Sequence, residues 1–537
     1  MSGTTPDPAG NENAVLHFID RHLAEGRGEA PVLIDPHRRM TYAGLAESSA
    51  RFAGGLRGAG IGTERRVALV MLDTVDFATA FWGAIRGGSI PIPVNTLLTP
   101  DQVGYILLDS RAEAVVVSAP LLPALLPVLA RCPALRLVLV ATVDGSEAEP
   151  VAPEGLPARD LARFLREAAP LPQPERACAD EVAFWMYSSG STGAPKGVKH
   201  VHGNLRATAD TYGAQVLGIR QDDLMFSVAK LFFAYGLGNS MIFPMAVGAC
   251  GVLLPDRPTP DAVLGTIRTY QPTMFAGVPT LYAALLARPD LGPGAGSARL
   301  RRCVSAGEAL PEHVGLRWRE ITGVDILDGI GSTEMLHIFV SNRPDDIRYG
   351  TTGKAVPGYE LRVVDENGRD VPDGEPGELL VRGPTAAEGY WNQRSKSRRT
   401  FCGEWTCTGD KYVRDAEGYY RYQGRADDML KVSGIWVSPF EVEAALMSHP
   451  AVQEAAVVAR EDVDGLVKPM AFVVFKDPAD DADALFDALK DHVKAAAGPW
   501  KYPRWIEAME ELPKTATGKI QRFKLRASLE ERTGPEA

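Results

Sequence analysis

The apolar run 182–186 opens directly onto Tyr187-Ser-Ser-Gly-Ser-Thr-Gly-Ala-Pro-Lys-Gly197, and this junction constrains the fold more than any other part of the chain. A short apolar run bounded by turn residues is the pattern of a buried strand. A Ser/Thr/Gly loop breaking from its end offers what an anionic oxygen needs: glycines let backbone N–H groups turn inward, and hydroxyls and an ammonium add further donors. Ser188, Ser189, Gly190, Ser191, Thr192, Gly193 and Lys196 are therefore expected to hold phosphate. The spacing of Gly190, Gly193 and Lys196 does not fit G-x-x-x-x-G-K-[ST], so a Walker-type loop is excluded. A flexible Ser/Gly linker has similar composition, but linkers do not hang from a buried strand with Pro-Lys-Gly behind them. The expected ligand is the phosphate chain of a nucleotide.

A chain of 537 residues exceeds what one hydrophobic core supports, so at least two domains are expected. The formal charge of −11 argues against a nucleic-acid partner, yet leaves room for a nucleotide, which needs only a local positive site. Cys132, Cys178, Cys250, Cys303, Cys402 and Cys407 form no C-x-x-C pair and have no nearby histidine cluster, so they read as reduced thiols of a cytoplasmic protein. The N-terminus is polar and Pro-rich, without a basic-then-apolar leader pattern. The most apolar long stretch, 114–130, is broken by Pro120, Pro123 and Pro127 and fits a strand plus connecting segments better than a membrane span.

Helical and strand signals alternate over the first 400 or so residues. Thr41 can cap a helix carrying Leu45, Phe52 and Leu56, with Gly60 as its stop. The runs 67–72, 114–117 and 135–140 are short and apolar, as buried strands are. This predicts α/β layers with largely parallel sheets. The Pro- and Ala-rich segment 150–174 is expected to be surface structure. Character changes near residue 425. Ser438-Pro-Phe-Glu441 is a capping-box start with Pro at the first helical position; strands at 455–458 and 471–475 follow, then a helix through Leu485, Leu489 and Val493. About 110 C-terminal residues with their own core make a second domain of ordinary size.

Further patches carry chemistry. Gly329-Ile-Gly-Ser-Thr-Glu334 places a carboxylate beside a tight turn, suited to holding Mg²⁺ against phosphates. Thr408-Gly-Asp410 offers a carboxylate for ribose hydroxyls, Arg425 lies before the domain change, and Pro513-Lys-Thr-Ala-Thr-Gly-Lys519 presents two lysines. Each alone has an ordinary structural reading. Together and in this order, with Gly377-Glu-Leu379 and Gly424-Arg425-x-Asp427, they resemble the adenylate-forming enzymes: acyl- and aryl-CoA synthetases, carrier-protein adenylation domains and luciferases. The resemblance covers nearly the whole chain.

It implies an α/β protein with a large N-terminal domain, residues 1–426, of two α/β layers plus a distorted β-barrel. A small α+β lid, residues 427–537, would turn on a hinge at Asp427, with the active site between the two. By the same resemblance Ser188 to Lys196 grip the outer phosphates, and Glu334 and Thr192 hold Mg²⁺. Ala306, Gly307, Glu308, Asp328, Gly329, Ile330 and Thr333 line the nucleotide, Asp410 and Arg425 bind its ribose, and Lys519 reaches the α-phosphate and carboxylate. Lys431, Ser433, Gly434 and Trp436 flank the pantetheine of coenzyme A. Lys196, Glu334 and Lys519 are the expected catalytic groups.

Lys230-Leu-Phe-Phe-Ala-Tyr-Gly-Leu-Gly-Asn239 and the 331–339 segment look like those of benzoate– and hydroxybenzoate–CoA ligases. That places Ala234, Tyr235, Ala306, Gly331, His337 and Ile338 around a short, flat aryl pocket, whose aromatic and small walls suit an apolar ring. His337, His200 and His202 read equally as packed histidines. ATP, an aryl carboxylate and coenzyme A are the expected partners of a monomer or homodimer, with no membrane partner. A carrier protein is the alternative acceptor, and a non-catalytic nucleotide-binding protein the remaining one.

Overall fold

The computed structural model describes residues 10–190, 193–425, 428–432, 435–462, 466–476, 482–498, 501–514 and 520–533. The chain divides into two compact units, one of residues 1–360 and 381–406, the other of 361–380 and 407–537.

The first unit contains the two α/β layers that the alternating pattern predicts. In one, parallel strands run in the order Ile90–Pro93, Arg66–Val70, Ala114–Ser118, Leu137–Ala141, Ala158–Asp160. Their side chains, Val70, Ile92, Val115, Val117 and Val138 among them, meet Leu125 and Trp185 in a common core. The second layer is a larger mixed sheet. Its parallel centre is formed by Pro31–Ile34, Cys250–Val252, Leu224–Ser227, Met274–Gly277, Arg302–Ser305 and Ile326–Gly331. Phe226, Phe275, Tyr282 and Trp318 fill its core. A three-stranded antiparallel sheet is formed by Val182–Gly190, Gly193–Val201 and Gly389–Tyr390.

Local signals place several elements. Thr41 accepts a hydrogen bond from the Gly44 N–H and caps Tyr42–Gly58, which buries Leu45, Phe52 and Leu56. Two segments differ from expectation. The Pro-broken stretch after Ser118 continues as a helix, Leu122–Leu129, with Pro123 in its first turn, where a missing N–H costs nothing, and Pro127 inside it. The 150–174 segment is more than surface: Ala158–Asp160 adds an edge strand, and Leu161–Glu167 buries Leu161 and Phe164.

In the second unit, Val452–Glu461 pairs antiparallel with Val467–Phe475, which pairs parallel with Trp505–Ala508. Alternation sends Ala455 and Val457 to one core with Val442, Leu446, Leu489 and Val493, and Ala456 and Val458 to another with Leu512, Leu525 and Leu529. Ser438 accepts from the Glu441 N–H to start the helix Pro439–Met447, while the Glu441 carboxylate pairs with Lys501 at 2.5 Å. None of the six cysteines is in a disulfide. Among the described residues, no helix is long and apolar enough to cross a membrane.

One helix contact is unusually close. A Cβ on Gly54 would stand 1.9 Å from the Ala169 carbonyl oxygen, whereas a Cβ on Gly58, in the last turn of the same helix, would meet nothing within 4 Å. Gly54→Ala is expected to destabilise the protein by about 2 kcal/mol. Gly58→Ala should be neutral or stabilising by up to about 1 kcal/mol. Thermal unfolding of the two variants checks the contrast; equal midpoints would contradict it.

Candidate active site

The central parallel strands of the larger sheet end side by side, with Ser227 registered on Ala276, Gly277 on Ser305 and Ser305 on Asp328. In open α/β sheets, ligands bind outside such carboxyl ends. The expected nucleotide and aryl-pocket residues leave from these ends. Ala306 is buried, and Gly307 (φ +95°) has open space where a Cβ would project. Asp328 is buried, and burial pushes its carboxyl well above the ordinary carboxylate range.

The predicted phosphate loop takes a different form from a loop on a strand. The strand runs on through Gly190 and returns from Gly193, with Ser188 registered on Lys196 and Gly190 on Gly193. This hairpin explains how a lysine eight residues further on reaches the same place as Ser188. Alternation then sorts its faces. Trp185 and Tyr187 pack toward the first layer, where the Tyr187 hydroxyl donates to Asp109 Oδ2 at 2.6 Å. Ser188 lies on the opposite face, its Oγ buried and without a hydrogen-bond partner among the described residues.

Lys196, Val198 and His200 share that face, and they hold the loop that carries Glu334. His200 Nε2 lies 2.8 Å from the Thr333 carbonyl oxygen, and its Nδ1 3.2 Å from Asn204 Oδ1. Lys196 Nζ donates to Glu334 Oε1 at 2.7 Å. The Ala387 N–H donates to the Glu334 carbonyl at 2.8 Å, and Leu336 takes a left-handed conformation (φ 62°) to complete the turn. Such backbone persists only where the surroundings over-determine it.

Sequence reading missed Tyr390. It is registered on Val198 in the third strand of this sheet, which brings its hydroxyl to 2.8 Å from Glu334 Oε1 and 2.9 Å from Lys196 Nζ. Burial alone would raise the Glu334 pKa. The charge of Lys196 and hydrogen bonds from Lys196 and Tyr390 outweigh it, so the carboxyl sits below its ordinary value. Lys396, on the next helix, is shifted down by burial and then by repulsion from Lys196. Two lysines around one carboxylate leave surplus positive charge, which suits a polyphosphate. No group of three or more His, Cys, Asp and Glu fit to hold a metal occurs among the described residues. A single ionised carboxylate is nonetheless enough for Mg²⁺, which takes its other ligands from phosphate and water.

At the acid end, the Tyr235 hydroxyl lies 3.0 Å from the Gly277 carbonyl oxygen and 3.1 Å from that of Val304. His337 is buried, with Nε2 3.3 Å from the Tyr235 carbonyl and its ring against Tyr212, Tyr235 and Phe243. Burial lowers its pKa to about 3, so it is neutral at working pH and Nε2 carries the proton. Ile338 is buried, whereas Ala234, Tyr235 and Gly331 are half-buried. A Cβ on Gly331 would come 2.5 Å from the His337 carbonyl oxygen. His202 accepts from the Ala14 N–H on Nδ1 at 3.1 Å.

In the second unit, Asp410 and Arg425 are strand partners, and Arg425 Nη1 donates to Asp410 Oδ1 at 3.1 Å and to the Thr408 carbonyl at 3.2 Å. Lys431 and Trp436 are register partners in a short antiparallel pair. Ser191, Thr192, Asp427, Ser433, Gly434 and Lys519 lie outside the described residues.

Residues 20–391 match the family described as AMP-binding enzyme, and residues 441–519 its C-terminal domain. The chain belongs to the AMP-binding enzyme family. It is 54% identical over 518 residues to the benzoate–CoA ligase of Thauera aromatica, covering 96% of each chain. It is 52% identical over 520 residues to the 4-hydroxybenzoate–CoA/benzoate–CoA ligase of Rhodopseudomonas palustris, covering 97% of this chain and 94% of that one. The crystal structure of the anthranilate CoA ligase AuaEII in complex with anthranoyl-AMP superimposes with a TM-score of 0.90 at 43% identity, over 98% of both chains.

For this AMP-binding enzyme, the Lys196–Glu334 pair gives a signed pH prediction. The Glu334 pKa is depressed, so its ionised form persists as pH falls toward the ordinary carboxylate value. Lys196→Met removes the largest opposition to burial and should raise that pKa. Affinity for ATP in the presence of Mg²⁺, titrated calorimetrically between pH 5 and 8, should then fall away at higher pH than in the wild type. Parallel profiles would contradict the assignment.

Proposed function

We propose that this enzyme is an AMP-forming aryl-acid–CoA ligase of benzoate type. The observation that carries the reading is the pairing of Lys196 with Glu334 beside the unpartnered Ser188 hydroxyl, in a chain so similar along its length to ligases named for benzoate and 4-hydroxybenzoate. Neutral, aromatic walls at Tyr235 and His337 support an aryl rather than a charged substrate.

The chemistry follows from charge. A carboxylate does not acylate a thiol at neutral pH, because its leaving group is poor and its charge repels nucleophiles. Transfer to the α-phosphate of ATP expels pyrophosphate and yields an acyl adenylate; a thiol then displaces AMP. In the first step Ser188 and Lys196 hold the departing phosphates, and Lys519 neutralises charge where carboxylate meets α-phosphate. Glu334, with Thr192, would hold Mg²⁺, which supplies electrostatic stabilisation of the phosphate oxygens. Asp410 accepts from the ribose hydroxyls, its orientation set by Arg425. Losing one such charged contact in a water-excluding site costs about 3 kcal/mol, roughly a hundredfold in rate. For the second step, the turn about Asp427 brings the segment 431–436 into play, with Gly434 beside the pantetheine and Lys431, Ser433 and Trp436 around it. The acceptor is coenzyme A; a carrier-protein arm is the alternative.

AMP release across a panel of benzoates and short aliphatic acids, with coenzyme A or a loaded carrier protein, tests the reading. Release should require an aryl acid, and thioester should form on free coenzyme A. Activity confined to aliphatic acids, or to the carrier, would refute it. Lys519→Ala should lose about a hundredfold or more in adenylation yet still convert supplied acyl adenylate to thioester; equal loss of both half-reactions would remove Lys519 from its role. Ala234→Leu should narrow the accepted ring substituents, and an unchanged preference would displace Ala234 from the pocket.

A further inference from the structure

We propose that the Tyr390 hydroxyl is a positioning group for the phosphate end of this site, fixing the orientation of the Lys196–Glu334 pair so that a nucleotide's polyphosphate meets both. The inference rests on the functional reading above for the reaction it serves, but its geometry stands independently.

Three groups converge on one point. Lys196 Nζ has three N–H bonds; one goes to Glu334 Oε1 at 2.7 Å and one to the Tyr390 oxygen at 2.9 Å. The Tyr390 O–H donates to the same Oε1 at 2.8 Å. Both lone-pair directions of Oε1 are thereby occupied, so a cation approaching Glu334 is directed to Oε2. Among the described residues the third N–H of Lys196 has no acceptor, which suits a phosphate oxygen. A bare Lys–Glu pair offers no such order: either carboxylate oxygen could turn to the ammonium, whereas the shared tyrosine hydroxyl fixes Oε1 as the inward one. The tyrosine hydroxyl accepts from one and donates to the other. It is neutral, so it keeps both in place without competing for the anion.

Tyr390 is itself held for this task. Its backbone pairs with Val198, between Lys196 and His200 on the same face of the hairpin. Its N–H donates to Ser397 Oγ at 3.0 Å, and its ring lies 5.4 Å from that of Phe401 and 4.3 Å from Lys196 Nζ. The side chain is 5% exposed. The ring's packing and the hydroxyl's bonds are separable, because Tyr390→Phe keeps the first and deletes only the second.

The test uses the full-length chain. In Tyr390→Phe, ATP with Mg²⁺ measured calorimetrically should bind about tenfold more weakly, because the two hydrogen bonds that aim Lys196 and Glu334 are lost. Pyrophosphate should lose affinity to a similar extent in the reverse exchange. The KM for the aryl acid, the rate of thioester formation from supplied acyl adenylate and the Tm should all stay as in the wild type. Tyr390→Leu, which also removes the ring, should add a fall in Tm. Unchanged binding of ATP and pyrophosphate in Tyr390→Phe would overturn the proposal, as would equal weakening of the acid and thioester steps, the mark of a merely structural residue. A wild type inactive with every aryl acid would instead refute the functional reading, while the calorimetric comparison would still decide the role of Tyr390.

Discussion

The ion pair between Lys196 and Glu334 is the contact on which the rest of the site depends. As a source of stability it is weak, because burying two charges costs about what their attraction returns. Its value is positional. It joins a hairpin to a turn 138 residues away, and both charged groups are the kind that a polyphosphate and its cation require. Removing one partner leaves the other buried with only the Tyr390 hydroxyl and, for Glu334, the more distant Lys396 to answer its charge.

That pair exists because of strand periodicity. Ser188, registered on Lys196, and then Val198 and His200 all point to one side, and the aromatic residues Trp185 and Tyr187 to the other. The aromatic side buries the hairpin against the first α/β layer. The polar side is left to hold Thr333 through His200 and Glu334 through Lys196. One buried face thus pays for one functional face. The second unit has a related device: buried Glu443 accepts from Arg522 at 2.7 and 2.8 Å and from the Val457 N–H at 2.7 Å.

How much of this could be read from the residues alone follows from how local each cause is. The caps at Thr41 and Ser438 act within one turn and were legible, as were the short apolar strands and the α/β alternation. The edge strand Ala158–Asp160 was hidden, because its place comes from pairing with Leu137–Ala141 and nothing in its own composition announces it. The loop was legible as a turn leaving a buried strand but not as a hairpin, since Ser and Gly read as loop wherever they stand. Tyr390 was invisible for a plainer reason. It lies 194 residues from Lys196, and a Gly-Tyr-Trp run carries no chemical signature until a strand register places it.

The acid end shows the opposite use of charge. Lys230 donates to the carbonyls of Leu254, Pro255 and Asp256, and the buried Asp73 carboxylate accepts from the Leu231 N–H. Burial pushes Asp73 up to about 6, against the pull of Lys230. A Cβ on Gly236 would stand 2.1 Å from the Lys230 carbonyl oxygen, so the segment folds tightly back on itself. These ionisable groups are bonded to backbone and fix the shape of the wall. His337, on the same side of the site, is neutral. A ring would therefore be selected by fit, and its carboxylate would find neutralising charge only toward the nucleotide. On the proposed reading, activation would be confined to the end of the site that carries Lys196 and Glu334.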